Sequence, residues 1–97
     1  MKIPERVKIG GFVYTVEQTE HIGCGHDYCG EILYGDLKIN LRPCSQSRME
    51  QTLLHEIVHG IYDHLGYSEH EERKIDMLAG ALHALIIDNP EMFGGSS

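Results

Sequence analysis

Two histidines stand one helical turn apart in the run Thr52-Leu53-Leu54-His55-Glu56-Ile57-Val58-His59. On an α-helix such residues lie about 40° apart around the axis and about 6 Å along it. Two imidazoles spaced in this way can reach one metal ion at roughly 2.0–2.1 Å. Glu56, rotated about 100° from His55, misses the ion but can reach a water held on it. That is the position of a general base in metal-assisted hydrolysis. The bland alternative is a pair of helix histidines engaged in structural hydrogen bonds.

A metal site of this kind needs a third protein donor. Glu72-Arg73-Lys74-Ile75-Asp76 offers one, with Glu72 and Asp76 one turn apart on a common face. Glu72 is the candidate ligand, and Asp76 is a candidate to fix a ligating imidazole through its other nitrogen. Otherwise both are ordinary first-turn acids favoured by the helix dipole. Glu71 and Asp63 are weaker candidates for the third ligand. His83, two turns past Asp76, either lines the cleft as an oxyanion donor or is structural. Tyr62 falls almost in line with His55 and His59 and packs beneath them on this reading. His21, His26, His64 and His70 read as surface or loop residues.

The positioning elements follow from capping and periodicity. Ser45 and Ser47 are possible N-caps, Ser47-Arg48-Met49-Glu50 fits a capping box, and Gly66 is a stop signal, so one helix runs to about Leu65. Leu54, Val58, Ile61 and Leu65 form its apolar stripe. A second box, Ser68-Glu69-His70-Glu71, starts a helix that ends near Asp88 before Asn89-Pro90, with Ile75, Leu78, Leu82, Leu85 and Ile86 as its stripe. The short connection makes the two helices neighbours. Upstream, Arg6–Ile9 and Phe12–Val16 read as strands around Gly10-Gly11, and 21–30 as a loop. Glu31–Tyr34 and Leu37–Leu41 form a hairpin around Gly35-Asp36. The Leu37–Leu41 arm is either an edge strand on which an extended peptide pairs, or an interior one.

The 97 residues suffice for one domain, read as 1–93 with a loose tail at 94–97. A formal net charge of −7 argues against nucleic acid as a partner, which would call for a basic face. No apolar run has membrane-spanning length, and no apolar stretch follows Met1-Lys2 as in a secretory signal, so the cytoplasm is the expected location. Three cysteines do not suit a disulfide framework. Cys24, His26, Cys29 and Cys44 match no common zinc spacing and read as simple thiols and a loop histidine.

The H-E-x-x-H run followed by Glu72-Arg73-Lys74-Ile75-Asp76 resembles the E-x-x-x-D element of gluzincin peptidases. Residues 30–90 as a whole resemble the ImmA/IrrE-type family of small metallopeptidases, many of them from phages and prophages. Glu72-Arg73-Lys74-Ile75-Asp76-Met77-Leu78-Ala79 can be laid on the family's E-x-E-A-[ND]-x-[FL]-A element, from which it departs at Lys74 and Ile75. The ending Leu85-Ile86-Ile87-Asp88-Asn89-Pro90 is also similar to the small phage members. The resemblance implies a zincin-like minimal α+β fold, a small antiparallel sheet on two main helices with the metal between them. It also implies Zn²⁺ held by His55, His59 and Glu72, Asp76 as the orienting carboxylate, and cleavage of an intracellular protein, often a repressor. The rival expectation is a metal-stabilised binding or inhibitory module without turnover, and a third is a plain helical domain with no metal.

Overall fold

The computed structural model describes residues 1–22 and 29–93. The expected loop at 21–30 and tail at 94–97 therefore lie largely outside the described residues. Strands β1 (Arg6–Ile9) and β2 (Phe12–Gln18) form an antiparallel hairpin, and β3 (Gly30–Leu33) and β4 (Lys38–Leu41) form another. Gly10 and Gly11 have φ of 58° and 90°, which fits the left-handed two-residue turn that tight hairpins prefer. The second turn spans four residues, 34–37, and places Leu37 at φ 52°.

The sheet order is β1-β2-β4-β3. β2 and β4 pair in parallel, so the sheet is mixed and not wholly antiparallel as expected. The reason is topological: β3 crosses to the outer edge and β4 returns into the gap beside β2. The Leu37–Leu41 arm is consequently interior, and β3 is the open edge. Local alternation specifies a hairpin but does not say which arm lies outside.

Helix α1 (Gln46–His64) packs on the sheet, and α2 (Glu72–Asp88) packs on α1 without contacting any strand. The fold is thus α+β, a four-stranded mixed sheet packed against two helices. No helix among the described residues is long and apolar enough to cross a membrane. At about 100° per residue, α1 presents three sides. Leu53 joins Ile9, Tyr14, Val16, Ile39 and Leu41 in the sheet-side core. Leu54 and Val58 join Ile75 and Ala79 in a second cluster against α2. Each fully buried residue such as Ile39, Leu53, Val58 or Ile75 contributes about 1.5–3 kcal/mol of burial. The third side, between those two, carries His55 and His59.

Several expected details differ. Ile61, Leu65, Leu78 and Leu85 are exposed, and Ala79 takes a core place instead. Neither capping box forms. α1 starts after Ser45, whose side chain makes no cap bond, and Glu50 turns inward to His83. α2 starts only after Glu71, and residues 67–71 remain outside any helix.

Candidate metal centre

Glu72 opens α2 directly over the His face of α1. Its Oε2 lies 3.1 Å from His55 Nε2, and its Oε1 lies 3.0 Å from His59 Nε2. One donor atom from each of the three residues falls within 4.8 Å of the others, so the group can hold a metal ion. The donor chemistry fits. Both imidazoles turn the same nitrogen inward to one carboxylate, at separations close to the roughly 3.3 Å between donors of a tetrahedral ion with bonds near 2.0–2.1 Å.

The outward nitrogens are engaged as well. His55 Nδ1 lies 2.7 Å from Asp76 Oδ1, one turn along α2 from Glu72, and donates to that carboxylate. The i, i+4 spacing on each helix brings about this match. His59 Nδ1 lies 2.8 Å from Nδ1 of His70. The His59 and His70 rings stack at 5.0 Å and 20°, and Tyr62 meets His70 edge-on at 5.5 Å. His70 read as a loop residue from sequence, because contacts made by a non-helical connection have no periodicity to reveal them.

Glu56 points to the sheet side of the same cleft and is only 7% exposed. It belongs to no ligand group and accepts no hydrogen bond among the described residues. Burial pushes its carboxyl up to about 7, with Glu72 and Glu31 adding to the effect and His55 opposing it. Gly30 admits this approach: a Cβ there would lie 2.6 Å from Thr52 Cγ2 and 3.4 Å from Glu56 Oε2. Burial also lowers His59 below the usual imidazole range, against the pull of Glu72 and with help from His55 and His70.

These groups border a cleft of about 660 Å³ between β3, α1 and the start of α2. Tyr34, just after β3, also lines it. Its hydroxyl donates a long bond of 3.4 Å to the His59 carbonyl. Burial first, then Asp63 and Glu56, pushes the phenol up to about 12, so it stays protonated. Sequence spacing did not single it out, since it sits in the turn after β3 and not on either helix.

Other expectations resolve differently. His83 is buried and lies 2.8 Å from Glu50 Oε1, away from the cleft, so it is no oxyanion donor. Burial pushes Glu50 up, but bonds from His83 and Gln46 outweigh it and hold the carboxyl below its ordinary value. Asp63 and Glu71 are not among the three donors, and Glu71 pairs instead with Lys74 at 3.4 Å. Cys24 and His26 lie outside the described residues. Cys29 and Cys44 are free thiols and belong to no metal group among the described residues. Comparison of the chain with protein-family models, with curated proteins and with solved structures finds no match.

Proposed function

We propose that this chain is a zinc-dependent peptidase whose ligands are His55, His59 and Glu72 and whose general base is Glu56. One observation carries the reading. A buried carboxylate with no hydrogen-bond partner among the described residues lies beside a three-donor group, in the same open cleft. A purely structural site has four protein ligands and no use for such a group. Two imidazoles and a carboxylate suit zinc, which when bound polarises a carbonyl and acidifies water toward ~7.

The chain's own residues supply the rest. Glu56 accepts the proton of the attacking water and returns it to the leaving amine. Tyr34 lines the cleft with a protonated hydroxyl that can leave its long bond and donate to the developing oxyanion. β3 supplies an edge for an extended peptide. The Arg42 amide donates to the Cys29 carbonyl at 2.7 Å. Antiparallel alternation from that pair turns the amides and carbonyls of Gly30 and Ile32 away from β4, toward the open edge. A peptide pairing there would cross the cleft. The likeness to the ImmA/IrrE-type family directs the search toward intracellular protein substrates, repressors among them, and toward a cytoplasmic setting.

The exposed residues Met77, Leu78 and Leu85 on α2 favour a second reading, a metal-stabilised binding module. Elemental analysis and peptide-library hydrolysis separate the two. Wild type should carry about one zinc per chain, His55→Ala should lose it, and Glu56→Gln should keep the zinc but lose hydrolysis. Equal metal in wild type and His55→Ala removes the site. Hydrolysis undiminished in Glu56→Gln leaves only the module.

A further inference from the structure

We propose that His70 is a positioning residue that holds the Nδ1 proton of His59 when its Nε2 takes a metal ion, through a relay that starts at the Tyr67 carbonyl. The relay begins where α1 ends. The Gly66 amide donates to the Asp63 carbonyl and the Tyr67 amide to the Tyr62 carbonyl, both at 3.0 Å, with Gly66 at φ 90°. This is the double-bonded glycine stop that reverses the chain after a helix. It fixes Tyr67, whose ring also packs on Tyr62 at 5.4 Å.

The Tyr67 carbonyl lies 3.0 Å from His70 Nε2. A carbonyl only accepts, so His70 carries its proton on Nε2. The Nδ1 of a neutral His70 is then a lone pair, and it faces Nδ1 of His59 at 2.8 Å. Two ring nitrogens at that distance need one proton between them, and only His59 can supply it. With a cation on Nε2, His59 therefore carries its proton on Nδ1 and donates it to His70; without one, the Glu72 carboxylate 3.0 Å from Nε2 competes for that proton. Asp76 does the same for His55, because a carboxylate at 2.7 Å accepts from Nδ1. The two candidate ligands thus reach one state by different routes, one through an anion and one through a neutral ring. A ligating imidazole depends on its outer hydrogen bond in this way.

The inference rests on the metal-site reading, not on catalysis, and its test reads neither hydrolysis nor substrate. Long-range ¹H–¹⁵N spectra of the zinc-loaded chain report the His59 Nδ1 proton and its exchange with water. The His59 Nδ1 proton should be resolved and slow to exchange in wild type and should exchange faster in His70→Phe, which keeps a stacking ring but removes the acceptor. Chelator competition should show zinc held 10- to 100-fold more weakly by His70→Phe. His70→Gln, whose amide oxygen can accept from His59, should recover much of the loss. Circular dichroism and urea melts establish that each variant is folded.

A His59 Nδ1 proton that exchanges equally fast in wild type and His70→Phe overturns the relay. So does zinc affinity in His70→Phe within twofold of wild type. Absence of zinc binding by wild type removes the metal site and the relay with it, whereas zinc bound equally by wild type and His70→Phe removes the relay alone.

Discussion

Replacing Glu56 by Gln in chelated protein isolates the cost of placing one carboxyl in the interior. Its value rises from 4.5 in the ordinary case to about 7 in the folded chain, mainly through burial. At roughly 1.4 kcal/mol per pH unit, this corresponds to about 3 kcal/mol of differential interaction. The folded state binds the proton more tightly than the unfolded state. The contribution is therefore complete below pH 4.5 and is lost as pH rises through about 7. Glutamine cannot ionise, so the variant lacks this slope. Urea melts in the presence of a chelator, from pH 4 to pH 8, should show wild type losing about 3 kcal/mol relative to Glu56→Gln, mostly between pH 4.5 and 7. Saturating zinc should flatten the difference, because a nearby cation favours the carboxylate. A difference between the two proteins that stays constant across this window would refute the reasoning.

Four further outcomes follow from packing and from the cleft. Gly30→Ala should cost about 1–3 kcal/mol in urea melts, because its Cβ meets the stiff Thr52 side chain at 2.6 Å and the Asn40 carbonyl at 3.1 Å. Gly60→Ala should cost less, because the atom it meets at 2.8 Å is the movable Cδ1 of Ile9. His83→Ala should cost about 1–3 kcal/mol by removing the partner of Glu50 Oε1 and leaving buried Glu50 to Gln46 and the N-terminal amine, and Glu50→Leu added to His83→Leu should restore most of it. Tyr34→Phe should lower kcat on a cleaved peptide by about 10²-fold with zinc content unchanged, and a kcat within twofold of wild type would remove its role as donor.

What could be read in advance was what repeats along one helix. His55, Glu56 and His59 share α1, so their relation is set by 3.6 residues per turn and no tertiary information is needed. Glu72 and Asp76 share α2 for the same reason, and only the register between the helices was open. The β1–β2 hairpin was legible from Gly10-Gly11 and its flanking β-formers. The parallel β2–β4 pairing was not, because strand order depends on where a long connection goes. The capping boxes misled because the same residues had stronger tertiary uses: Glu50 meets buried His83, and His70 meets His59. Ile61 and Leu65 fitted the stripe by spacing, but both are exposed in the fold.

The second helix touches no strand and is fastened to the first by an apolar seam with a polar tie toward each end, His83 to Glu50 at one and Glu72 to the two imidazoles at the other. It behaves as a cantilever rooted at His83, with the candidate ligand Glu72 at its tip. Without an ion the tip is held by side-chain contacts alone while the root stays anchored, so residues 66–76 should exchange amide hydrogens well before the sheet does. Holding strength at the centre then becomes a property of the whole lever, and a change in the seam at Ile75 or Ala79 would register as a change in metal retention without touching a single ligand.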